Sequence, residues 1–115
     1  MQNTLRRISK FTTDRDWDQF HSPANLSKSI IIEAAELLEN FQWDDSQFDL
    51  EKVEEELADV LIYCLQLSEK MGLDPIEIIN NKMDKNEQNI PLNNRLGLAR
   101  SIRSSMNDYL PSNEG

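Results

Sequence analysis

Two pairs of acids are set inside apolar, helix-forming stretches of this chain: Glu33 with Glu36, and Glu56 with Asp59. Ile30, Ile31, Ile32, Ala34, Ala35, Leu37 and Leu38 flank the first pair, and Leu57, Ala58, Val60, Leu61 and Ile62 flank the second. Both pairs have i, i+3 spacing. On a helix each pair therefore projects from neighbouring turns of one face, with Cβ atoms roughly 5–6 Å apart. Acids withdrawn from water are costly unless something pairs with them. Two carboxylates about 6 Å apart repel by roughly 3 kcal/mol at an effective dielectric near 20. A hard divalent cation reverses the sign of that energy, so the pattern reads first as a metal site on helices.

The rest of the chain agrees with helices. Glycine occurs three times in 115 residues, and no stretch alternates as a strand does. A first helix is expected from Thr4 to about Phe20, with Leu5, Ile8, Phe11 and Trp17 inward, ended by Ser22-Pro23-Ala24. Asn25 reads as the cap of a second helix, Leu26 to about Phe41. Asp44-Asp45-Ser46 reads as a loop. A third helix is expected from about Asp49 to Met71, with Gly72 just past its end. Asp74 then caps a fourth with Pro75 at its first position, running to about Asn89 and stopped by Pro91. Residues 95–115 look like an extension, loosely helical and then frayed. The expected fold is all-α, of the four-helix-bundle type, in a domain spanning 1–94. A short loop makes the second and third helices antiparallel neighbours, which gathers four carboxylates around one volume.

Hydrophobic residues make up 38% of the chain and the mean hydropathy is −0.62. So polar a small helical unit is expected to complete its core by oligomerising. The net charge of −9 argues against non-specific nucleic-acid binding, which needs a basic footprint. It leaves nucleotides open, because a bound cation can carry phosphate recognition. No stretch approaches the roughly 20 apolar residues of a membrane span. The polar, basic start lacks the apolar core of a signal peptide, and a lone Cys64 in an apolar run suits a reducing, cytoplasmic compartment.

Carboxylate oxygens without His or Cys beside them suit Mg²⁺, with Mn²⁺ as a substitute, and not zinc or copper. His21 is the only histidine and is out of register for a di-iron bundle. Four acids exceed what one Mg²⁺ normally takes from protein, so two ions, or one ion with supporting acids, both fit. Trp17, Phe20 and His21 precede the second helix, and Trp43 follows it. Trp17, Phe20 and Phe41 read as core before anything else, whereas Trp43 in a polar loop suits stacking on a base. Tyr63 is one turn beyond Asp59 on the same face. Lys82, Lys85 and Asn86 share one side of the fourth helix, where ammonium groups suit phosphate oxygens.

These residues together form a pattern. Arg15-Asp16-Trp17-x-Gln19-Phe20-His21-x-Pro23-x-Asn25-Leu26 is followed by Glu33-Ala34-Ala35-Glu36-Leu37-Leu38-Glu39-x-Phe41-Gln42-Trp43, then Glu56-Leu57-Ala58-Asp59-Val60 and Lys82-x-x-Lys85-Asn86. In order and spacing the four blocks resemble the MazG-like nucleotide pyrophosphohydrolases, closest to the branch that includes the dCTP pyrophosphatases. The resemblance covers roughly residues 5–91. It implies an all-α pyrophosphatase fold and Mg²⁺-dependent cleavage of a nucleoside triphosphate, dCTP or a non-canonical relative, to the monophosphate and pyrophosphate. It also implies metal ligands at Glu33, Glu36, Glu56 and Asp59, with Glu36 the choice for general base. Base and sugar contacts fall on Trp17, His21, Trp43, Tyr63 and Asn86, and phosphate contacts on Lys82 and Lys85. A homodimer or homotetramer with nucleotide between subunits follows from the same resemblance. Three departures stand out: Ile32 replaces an acid common before the first motif, Asn89-Ile90-Pro91 replaces the usual lysine and tyrosine before the proline, and the Arg95–Arg103 segment is unlike the usual ending. The alternative reading is a non-catalytic helical module that binds metal and nucleotide.

Overall fold

The computed structural model describes residues 1–90, which form helices and turns with no strand. Helix α1 covers Gln2–Asp14, a 3₁₀ turn Asp18–Phe20, α2 Pro23–Glu39, α3 Leu50–Lys70 and α4 Pro75–Asn89. The all-α expectation holds. The expected role of Pro91 and the 95–115 extension lie outside the described residues.

Helix α1 stops earlier than the periodicity suggests. Trp17 N–H reaches Thr12 C=O at 3.1 Å and Asp16 N–H reaches Thr13 C=O at 3.0 Å, closing the helix with Asp16 in the left-handed region at φ 58°. This is a Schellman ending built on aspartate, one of the few side chains other than glycine's that tolerate that backbone. The cap of α2 also differs from the expectation. Ser22 Oγ accepts from Asn25 N–H at 3.1 Å and Pro23 occupies the first turn. The Ser-Pro pair therefore starts a helix as well as ending what precedes it. Asn25 instead donates its side-chain amide to Phe20 C=O at 3.1 Å, tying the 3₁₀ turn to α2. For α3 the reading is close: Asp49 Oδ1 accepts from Glu51 N–H at 3.1 Å, and Gly72 sits past the end at φ 69°.

The described chain divides into two compact units, Met1–Pro75 and the part from Ile76 onward. In the first, α2 packs along α3, and α1 meets α3 more sparsely. Ser9 Oγ donates to Glu69 at 3.0 Å and Gln66 Nε2 donates to Thr12 Oγ1 at 2.9 Å, fixing α1 against α3. Among the described residues only Leu26 is a fully buried large apolar side chain. Trp17 at 44% and Phe20 at 62% exposure are not core within the single chain, contrary to the first reading of them. Ile31, Leu38, Leu57 and Leu61 are likewise exposed. The second unit carries Lys82 and Lys85 exposed, and Asn86 half-buried, on α4.

Candidate active site

The two acid pairs face each other as the hairpin of α2 and α3 requires. Asn40, which caps the end of α2, hydrogen-bonds Glu56 near the start of α3. Glu33, two turns earlier on α2, feels Asp59 one turn later on α3. The two helices therefore run antiparallel through the site. Burial pushes the Glu33 carboxyl up from its ordinary range, and the Glu36 charge pushes it further. A hydrogen bond to Glu36, which only protonated Glu33 can donate, and the charges of Asp59 and Glu56 act in the same direction. One Glu33 oxygen, Oε2, is shielded from solvent and has no hydrogen-bond partner.

The acids are less uniformly buried than their apolar neighbours suggest: Glu33 and Glu56 are half-buried, and Glu36 and Asp59 exposed. Among the described residues, no three Asp, Glu, His or Cys side chains close around one point as a finished ligand shell. At Glu56, Asn40 holds Oε2, while Lys52 stands 4.0 Å from Oε1. Even so, an all-carboxylate set with a dry, orphaned Glu33 oxygen fits a hard divalent cation, whose charge offsets the mutual repulsion.

Beside these acids opens a cleft of about 590 Å³, lined by Glu33 and Asp59 together with Trp17, His21 and Tyr63. Five residues expected at the site from sequence thus share one wall system. Thr4, Arg7, Ile8, Phe11, Ile62 and Gln66 complete the lining and were missed by the sequence reading. Phe11 holds Trp17 in place, with ring centroids 5.5 Å apart and planes at 75°. Arg15 lies 3.5 Å over the other partner of that pair, the Phe11 ring, and donates to Phe11 C=O at 3.1 Å. Edge-to-face and cation–π contacts of this kind rigidify the aromatic end. Along α3, Asp59, Tyr63 and Gln66 are at i, i+4 and i+7. That is one helical face with about 10 Å of rise from acid to amide. Tyr63 could have pointed to Gln66 in the sequence, since Gln66 is a polar residue three positions on in an apolar run.

Not every expected residue enters the cleft. Trp43 lies in the connection between α2 and α3, 89% exposed, and does not line it. In that connection Asp44 Oδ1 accepts from Ser46 N–H at 2.8 Å and Oγ at 2.7 Å, bonds that hold the Asp44 carboxyl below its usual range. Lys82, Lys85 and Asn86 belong to the second unit.

Comparison with known proteins gives the family. The MazG-like family model matches residues 28–103. The mouse protein dCTP pyrophosphatase 1 is 35% identical over 105 residues, covering 83% of this chain and 62% of its own length. The rat protein of the same name is 33% identical over 120 residues, covering 96% of this chain and 71% of its own. The chain therefore spans about 62% of the mouse protein. A crystal structure of a pyrophosphatase from Archaeoglobus fulgidus is 42% identical with a TM-score of 0.71, covering 79% of this chain and 92% of that one. With its four motif blocks in order and its acid pairs facing across α2 and α3, this chain belongs to the MazG-like family.

Proposed function

We propose that this protein is a Mg²⁺-dependent nucleoside triphosphate pyrophosphohydrolase that acts on dCTP or a modified deoxynucleotide and clears it from the nucleotide pool. The observation that carries the reading is the shared cleft, with Glu33 and Asp59 beside Trp17, His21 and Tyr63. Relatives named dCTP pyrophosphatase 1 support the choice of reaction.

Glu33, Glu36, Glu56 and Asp59 are the proposed holders of Mg²⁺, which when bound supplies charge neutralisation at the α-phosphate and a water of lowered pKa. Glu36, which is exposed, accepts the proton of the attacking water. The new bond joins the water oxygen to the α-phosphorus, and the bond from that phosphorus to the bridging oxygen breaks, releasing pyrophosphate. Trp17 stacks on the base, with its ring plane set by Phe11. His21 and Tyr63 bind base or sugar. The family resemblance implies phosphate contacts from Lys82 and Lys85 and a base or sugar contact from Asn86. The exposed apolar residues of α2 and α3, among them Ile31, Leu38 and Leu61, suit burial against a second copy of the chain, in a homodimer or homotetramer. In such an assembly Trp43 serves a neighbour's base.

A pyrophosphate-release screen over standard and modified nucleoside triphosphates, with and without Mg²⁺, tests the proposal. Release that needs the ion and favours dCTP or a modified relative is the expected result. Nucleotide and Mg²⁺ binding without any pyrophosphate would replace it with the non-catalytic module.

A further inference from the structure

Gln66 has a polarity set by its neighbours. Thr12 is 3% exposed, and its hydroxyl donates to Ile8 C=O at 3.1 Å, one turn back along α1. That leaves the Thr12 oxygen as an acceptor, which Gln66 Nε2 uses at 2.9 Å. The other end of the amide, Oε1, is shielded from solvent and has no partner. A buried acceptor left unmade carries a desolvation penalty that a donor from outside would recover. Gln66 lines the cleft at the aromatic end, with Trp17, Phe11 and His21 around the same space. It stands about 10 Å of helix rise beyond Asp59, a separation that suits a nucleotide with its phosphates at the acids and its base at the amide.

From this arrangement we infer that the Thr12–Gln66 pair selects the base, accepting an exocyclic amino group and rejecting a carbonyl at the same position. The inference rests on the nucleotide reading of the cleft and adds its discriminating residues. Thr12 holds the amide so that only an oxygen is offered. A pivot of the amide about its bond to Thr12 brings Oε1 to the cleft surface. Cytosine there presents N4–H₂, a donor, and its amine fills the orphaned acceptor. Uracil presents O4, and two acceptors then face each other without a proton between them. Sites built around a buried polar group discriminate strongly for this reason, because the wrong ligand leaves the group unpaired. Thr12 does not touch the ligand in this scheme and acts as a positioning residue, whereas Gln66 makes the contact.

Calorimetric titration with dCMP and with dUMP reads this without turnover. The unaltered chain is expected to bind dCMP at least about tenfold more tightly than dUMP, a difference worth about 1.4 kcal/mol. Thr12→Val frees the amide to turn over and brings the two affinities to within about threefold, while Thr12→Ser keeps the hydroxyl and keeps the preference. Gln66→Met abolishes the preference mainly by weakening dCMP. Equal affinities in the unaltered chain would overturn the inference even if every triphosphate is hydrolysed, and so would a preference untouched by Thr12→Val. A chain that prefers dCMP but releases no pyrophosphate would instead leave the base selection standing and remove the catalytic reading.

Discussion

The acid end of the cleft and its aromatic end face opposite physical problems. Around Glu33 the protein gathers like charges and shields one carboxylate oxygen from solvent without a hydrogen-bond partner. Around Phe11 it assembles groups that attract one another: Arg15 over the ring, Trp17 against its edge, and Thr12 joined to Gln66. The first arrangement is costly until something positive arrives, whereas the second is stable as it stands and leaves only Gln66 Oε1 unfilled. Binding capacity is thus concentrated where stability has been given up, which is the usual relation between a functional site and its scaffold.

Removing charge from the acid end has the largest expected effect. Glu36→Gln or Asp59→Asn should lower Mg²⁺-dependent pyrophosphate release by at least about a thousandfold, the several kcal/mol that metal-assisted charge stabilisation supplies. Circular dichroism should still show the helices. Undiminished turnover in both variants would remove the acids from the mechanism. A smaller loss is expected from Asn40→Leu, which releases Glu56 from its clamp. Supporting hydrogen bonds of this kind are worth about 10–100-fold in metal affinity, and Mn²⁺ titration followed by electron paramagnetic resonance reads it.

Removing an attraction from the aromatic end should weaken nucleotide and leave metal alone. Trp17→Ala is expected to cost about tenfold in binding of a non-hydrolysable analogue, within the range of about 1–3 kcal/mol for one stacked base. Trp43→Ala gives a second comparison. Its ring is outside the cleft of its own chain, so it should reduce affinity only under conditions where the protein is oligomeric, as sedimentation would show.

The contrast also has a pH signature. Glu33 has a raised pKa in the folded chain, so the metal-free fold binds a proton there more tightly than the unfolded chain does. Its contribution to stability is complete below the ordinary glutamate range and is lost as pH rises through the raised value. The metal-free melting temperature should therefore fall over that interval. Glu33→Gln should flatten the fall and raise the melting temperature at neutral pH. A steeper fall in the variant would mean that Glu33 is not the group responsible. The smallest effect belongs to the turn before Trp17. Asp16 at φ 58° does the work that Gly72 does at φ 69° after α3. Asp16→Gly should gain on the order of 0.5 kcal/mol, measured by urea unfolding.

Much of the acid end was legible in the sequence, because i, i+3 acids in apolar stretches on two consecutive helices have few ways to pack except face to face. Its partial exposure was not, since periodicity cannot separate apolar residues that meet the core from those, such as Ile31 and Leu61, that remain uncovered in one chain. The aromatic end was half legible. Trp17, His21 and Tyr63 stood out by residue type and by family resemblance. Phe11 and Gln66 enter through tertiary contacts between α1 and α3 that no local spacing encodes. The boundaries failed at Ser22-Pro23 and Asp16, where one residue pair starts a helix as readily as it ends one and where aspartate takes a glycine's place.

Titration of Mg²⁺ into the chain by calorimetry, alongside Glu33→Gln, Glu36→Gln, Glu56→Gln and Asp59→Asn variants, tests the shared-cation account most directly. Saturable binding that weakens in all four variants is the expected result, because each acid is relieved by the same positive charge. Binding that is absent from the unaltered chain, or that survives all four substitutions, would contradict it.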